Sequence, residues 1–324
     1  MLKRIVAAGL LLGGSAFAVS AQDSLVLGLQ ESGTALWEIE AIRSLGLDEK
    51  HGVALEIRPL ADSRAGQIAL QAGAVDVILS DFTWVSAQRH QGSDFTMVPH
   101  SLAVGGLVVP ADSAIQTVED LASTIIGIAG GPVDKSWVVL QAYYAALTDQ
   151  VLTADAEARF GAPPLINELL ASGGVGAGLN FWHWNARAKA AGGREVISVR
   201  EMFQGLGLPE APPLLGWTFS ESLGVERQES LTRFLDASFE AKAILLSDDA
   251  VWDGLAGVMG AADDAALFVQ LRDGYRAGIV AGYDPDDTLM AELAFGLLAE
   301  FGGADVVGDQ TALAPGTFWE GYRK

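Results

Sequence analysis

The chain has 324 residues, half of them hydrophobic, with 38 glycines and no cysteine. Its 20 Lys and Arg stand against 41 Asp and Glu, a formal net charge of −21, which argues against nucleic acid as a partner because such binding neutralises phosphates. The lack of cysteine excludes disulfides, thiolate metal sites, thiol nucleophiles and a lipid-modified cysteine at the N-terminus.

Lys3 and Arg4 precede an apolar stretch from Ile5 to Ala18 and then Val19-Ser20-Ala21. This reads as a secretory signal peptide over residues 1–21, cut before Gln22. The uncharged run falls short of the roughly 20 residues that a membrane span needs. With no lipid tether, free diffusion requires an enclosed space, and the periplasm is the expected location. The rest of the chain, roughly 300 residues, reaches the size at which one core divides, so two lobes are expected.

Leu25-Val26-Leu27-Gly28-Leu29 suits a buried strand, and Gln30 to Thr34 turns the chain into a helix. Val53, Leu55 and Ile57 alternate up to Pro59 as a second strand; a helix through Ile68-Ala69-Leu70 and a strand at Val75 to Leu79 follow. This β-α-β-α-β order implies a mostly parallel sheet flanked by helices. The same grammar restarts after Val104 to Val109: a helical turn at Val118 to Leu121, a strand at Ile125 to Ala129, and a Gly130-Gly131-Pro132 break. A helix with Trp137, Leu140 and Tyr144, another opened by Pro163-Pro164, and a strand at Val175 to Leu179 complete it. After Pro212-Pro213 the reading is helical, with apolar faces at Leu231, Phe234, Leu235 and Phe239, and at Met290, Leu293, Leu297, Leu298 and Phe301. The acids at Asp248-Asp249 and Asp284 to Asp287 read as helix caps, because a calcium loop's glycine and terminal glutamate are missing.

Catalytic signals are weak. There is no Gly-x-Ser-x-Gly elbow and no His-Glu-x-x-His pair, and His51, His90, His100 and His183 share no metal-ligand spacing. Binding signals are stronger, since open α/β sheets hold ligands beyond the C-terminal ends of their strands. Four loops meet that description: Glu31 to Trp37, Ser80 to Trp84, Gly130 to Trp137 and Asn180 to Trp184. The segments Leu70 to Trp84 and Leu170 to Trp184, one hundred residues apart, share five identities, and Trp37 and Trp137 have the same separation. Exposed tryptophans supply stacking area with one N–H donor, and Gly130-Gly131 before a helix offers backbone N–H groups to an oxygen. Asp134 in that first turn equally suits a cap.

The signal peptide, the two α/β units, the Asp120-Leu121 turn before a Gly-Gly-Pro loop and the Gly-x-Val strands resemble periplasmic substrate-binding proteins of ABC importers. The group resembled is the NMT1-like one that includes nitrate, taurine, alkanesulfonate and thiamine-pyrimidine binders. The resemblance implies a two-lobed α/β fold of the type II kind, with lobe 1 at 22–103 plus 216–324 and lobe 2 at 104–215. Crossing segments would lie near Leu102 to Gly106 and Leu214 to Thr218. It implies a monomer without cofactor or metal, closing on a small molecule and presenting it to a membrane permease. Trp37, Asp81, Trp84, Asp134, Trp137, Trp182, His183 and Trp184 are the expected ligand contacts, and the many rings favour an aromatic or amine-bearing ligand. Two alternatives stand beside this reading. One is a sensor that reports to a membrane kinase or chemoreceptor. The other is an enzyme like the thiamine-pyrimidine synthases of the same group, whose iron dependence and cysteine-rich motif fit poorly with an exported chain lacking cysteine.

Overall fold

The structure, a computed structural model, describes residues 24–324. The expected signal peptide at 1–21 lies outside the described residues. No helix among them is long and apolar enough to cross a membrane.

Ten strands follow in chain order: β1 (Ser24–Gln30), β2 (Ala54–Leu60), β3 (Val77–Asp81), β4 (Phe95–Ser101), β5 (Gly106–Val109), β6 (Ile125–Ala129), β7 (Glu157–Gly161), β8 (Ala177–Asn180), β9 (Arg194–Ser198) and β10 (Leu215–Ser220). They form two five-stranded sheets with orders β2-β1-β3-β10-β4 and β7-β6-β8-β5-β9. In the first, β1 is parallel to β2 and β3, and β10 runs antiparallel to β3 and β4. The second repeats this plan: β6 is parallel to β7 and β8, and β5 runs antiparallel to β8 and β9. β5 therefore holds in the second sheet the place that β10 holds in the first.

The parallel strands are rich in Leu, Ile and Val because helices cover the sheet; Leu25, Leu27, Ile126 and Ile128 have no exposed surface. Helices Ala35–Ser44 and Gln228–Ser247 pack together in the first lobe. There Leu231, Phe234 and Leu235 are sealed from solvent. Two later helices reach across: Ala265–Ala277 packs on Trp182–Ala190, and Pro285–Gly302 packs on Lys135–Thr148. Asp284 caps its helix with a capping box, whereas Asp249 at the other N-cap makes no side-chain capping bond and the Ala250 N–H there donates to Asp248, one residue before the cap, at 2.8 Å.

The stretch after Pro213 departs from its helical reading. β10 is a strand inserted between β3 and β4, with Trp217, Thr218 and Phe219 fully buried. A strand covered on both faces loses the alternation that marks a half-buried one, and Gly216 suits it because a Cβ there would stand 2.7 Å from the Val98 carbonyl oxygen. The strand predicted to start at Val75 begins two residues later, at Val77.

Candidate ligand-binding cleft

A cavity of about 290 Å³ lies where strand ends of both sheets meet the helices that follow them. Five helices present their first residues to it: those starting at Ala35, Ser63, Phe82, Lys135 and Trp182. Three of these N-termini are closed by an aspartate. Asp62 accepts from the Ala65 N–H at 2.8 Å, Asp81 from the Trp84 N–H at 2.9 Å, and Asp134 from the Ser136 N–H at 2.9 Å. The other two, one on each sheet's side, have no side-chain cap, because Thr34 makes no capping bond and Phe181 has nothing to offer. Their backbone N–H groups and dipole ends favour an acceptor oxygen.

Across the cavity, Lys135 Nζ stands 3.1 Å from Asp81 Oδ2 and joins the two sheets' loops. Burial pushes the Asp81 carboxyl up, but the Lys135 ammonium and the bonds from Thr83 and Trp84 outweigh it and hold it below the usual aspartate range. Asp134 goes the other way: burial outweighs Lys135 and the capping N–H groups, and its carboxyl is raised. Burial, helped by the Arg187 charge, lowers His183 to about 4, so its ring is neutral near pH 7. Its Nδ1 is sealed and, among the described residues, without a partner. Among the described residues no group of three or more His, Cys, Asp or Glu side chains is placed to hold a metal ion.

Of the eight expected contacts, Asp81, Asp134, Trp182 and His183 line the cavity. Trp37, Trp84, Trp137 and Trp184 do not. All four are the third residue of their helices, whereas these four helices give the wall only cap, first or second residues. At 3.6 residues per turn, the third residue points away from the face that the first presents. Trp37 is buried against Trp182 and Tyr275, each with ring centroids at 5.7 Å, and the Tyr275 hydroxyl donates to the buried Glu38. Trp84 stacks on Phe95 at 5.5 Å, Trp137 meets Phe160 edge-on, and Trp184 lies under the Arg187 guanidinium at 5.4 Å.

Lys135, which the sequence suggested could serve an acid, and Phe181 of the aromatic cluster also line the wall, and Gln30, Thr34, Gln67, Thr83 and Ser136 line it with no prior expectation. The signal that marks several of them is an aspartate at a helix N-cap followed by two residues before a tryptophan, as in Asp81-Phe82-Thr83-Trp84 and Asp134-Lys135-Ser136-Trp137. The second lobe's wall is held by its own network. Asn180 Nδ2 donates to Pro163 O at 2.8 Å, its Oδ1 accepts from the Phe181 N–H at 2.8 Å, and Asn167 Nδ2 donates to Trp184 O at 2.8 Å.

Residues 43–168 match the family model described as NMT1/THI5 like. The NMT1/THI5-like region runs from the Ala35 helix into the second sheet and contains Asp81, Asp134 and Lys135 of the wall. The alkanesulfonate-binding protein SsuA from Xanthomonas axonopodis pv. citri, bound to MOPS, superposes with a TM-score of 0.69 at 17% identity, over 92% of this chain and 98% of that one. The periplasmic aliphatic sulphonate binding protein SsuA from Escherichia coli gives 0.73 at 15% identity, over 92% of each chain. The desulfurization enzyme DSZB gives 0.58 at 19% identity, over 91% of this chain and 97% of that one. No curated protein matches the sequence. The chain has the two-lobed fold of the periplasmic binding proteins.

Proposed function

We propose that this chain is the extracytoplasmic solute-binding component of an ABC importer, a monomeric periplasmic protein that captures a small molecule and hands it to a permease. The observation that carries this reading is the cleft wall, drawn from helix N-termini on both sheets and tied across by Lys135 and Asp81. In the proposed division, lobe 1 is 22–103 plus 216–324 and lobe 2 is 104–215. The connections after β4 and before β10 act as hinges, and closure brings the two halves of the wall together.

The wall supports a partly apolar ligand with polar ends. Leu29, Leu60, Leu79, Val104, Phe181 and Trp182 supply apolar surface. Asp81 and Asp134 suit an amine or ring N–H, and the uncapped N-termini at Thr34 and Phe181 suit a carbonyl or acid oxygen. We favour an aromatic or amine-bearing molecule over bare nitrate, with alkanesulfonates, the ligands named for the SsuA proteins, as the first competitor.

A thermal-shift screen of the exported protein against sulfonates, nitrate, pyrimidines, flavins, amines and aromatic acids tests this reading. A ligand at 100 times its dissociation constant adds about 2.7 kcal/mol of stability. The absence of a shift with every class would sink the receptor reading. The shared fold of DSZB keeps an enzymatic reading in play, and recovery of the stabilising ligand chemically altered after incubation would favour it.

A further inference from the structure

A second cavity, of about 220 Å³, lies between the crossing segment, the Trp182 helix, β9 and the Ala265–Ala277 helix. It shares Ala103, Val104, Gly105 and Trp182 with the cleft, but its polar side chains are different. The helix beside it is seated closely. A Cβ on Gly274 would stand 3.0 Å from Trp182 ring atoms, and one on Gly278 would stand 2.6 Å from the Ala103 nitrogen. The space is therefore bounded by contacts at the van der Waals limit and is no gap between loosely docked helices.

Two cations and one anion line it: Lys189, Arg200 and Glu195. Lys189 Nζ and Glu195 Oε2 pair at 2.6 Å. The Arg200 guanidinium makes a single long contact among the described residues, Nη2 to the Ala277 carbonyl at 3.5 Å, so most of its donor fork is uncommitted. Asn185 is 3% exposed. Its Nδ2 donates to the Gly106 carbonyl at 2.8 Å, which fixes the amide plane and leaves Oδ1 as a buried acceptor with no partner among the described residues. Native proteins rarely leave such an atom unpaired.

We propose that this hinge cavity is a second binding site, for a small hydroxy acid. The Arg200 fork matches a carboxylate in two-point geometry, a neighbouring hydroxyl satisfies Asn185 Oδ1, and the excess of one cation in the lining suits a singly charged anion.

Glycolate is the probe, with acetate as the acid that lacks the hydroxyl. Each is titrated by calorimetry at fixed ionic strength into the exported protein, into Arg200→Gln and Arg200→Lys, and into the cleft variant Asp81→Asn. Circular dichroism and melting temperature establish that each variant is folded. Glycolate is expected to bind the wild type and Asp81→Asn alike, and to bind Arg200→Gln about tenfold or more weakly. Arg200→Lys falls between, and acetate binds less well than glycolate. Undetectable glycolate binding to the wild type, or equal affinity for Arg200→Gln, overturns the proposal. So does loss of binding in Asp81→Asn alone, which puts the acid in the cleft, or equal binding of acetate, which removes the role of Asn185.

Discussion

The loops after β3 and β8 place a tryptophan at the same helical position and finish their helix starts in opposite ways. In Asp81-Phe82-Thr83-Trp84 a charged cap accepts from the chain's own N–H groups and, through Lys135, from the other lobe. In Phe181-Trp182-His183-Trp184 no side chain caps the helix, and three aromatic rings face the cleft. The first loop spends its polarity internally and holds the wall in place. The second leaves its N-terminus open to an incoming oxygen and surrounds it with apolar surface, so selectivity for the ligand is expected to sit chiefly on that side.

Trp182→Ala should break the comparison most severely, because the ring fills the space against Trp37 and Tyr275 as well as lining the cleft. Denaturant unfolding is expected to show a loss of about 3 kcal/mol or more; an unchanged midpoint would mean that the ring serves the ligand alone. His183 comes next. Its pKa falls from 6.5 to about 4 on folding, so between those values the unfolded chain binds more protons and stability falls as pH falls. Wild type should lose about 3 kcal/mol relative to His183→Gln between pH 7 and pH 4, read from parallel urea titrations; parallel pH profiles would show that the ring is hydrated.

Asp81→Ala removes a cap and the partner of Lys135, a cost of about 1 to 2 kcal/mol at neutral pH. Because the folded carboxyl is held below its ordinary 3.8, that difference should be fully present above 3.8 and shrink as pH falls below it. The smallest effect has the opposite sign. Phe181 has the extended backbone of an N-cap, φ −67 and ψ 150, so Phe181→Asp copies the first loop's design into the second. A gain of about 0.5 to 1 kcal/mol in stability should accompany weaker ligand binding; a gain in both would show that the open helix end is not where the ligand's oxygen sits.

Much of the fold was legible because its parallel strands and amphipathic helices carry their periods in the chain: Ile125 to Ala129 and the helix opened by Pro163 appear where they were expected. β10 was hidden by burial on both faces. For the cleft, the four loops were readable and the facing of their side chains was not. A tryptophan two residues past a helix start turns away from the cleft, into the core at Trp37 and Trp137, and a shift of one residue in that start would have turned it out. Helix starts carry an uncertainty of that size when read from sequence. Trp37, Trp84 and Trp137 pack with the core under their helix ends, and Trp184 packs beside His183 and Arg187, outside the cleft wall.

The interleaving of the two sheets also orders the events of synthesis. The second sheet draws only on residues 106–198 and is complete once they have been made. The first has a vacant slot between β3 and β4 until Leu215–Ser220 arrives, and the outer side of β4 is met by Ile279 at Ser101 and by the Thr317–Trp319 segment at Met97. A ribosome would thus release a chain whose middle is folded and whose N-terminal lobe must wait for its own C-terminus, with the long-range pairings that slow folding gathered in one half.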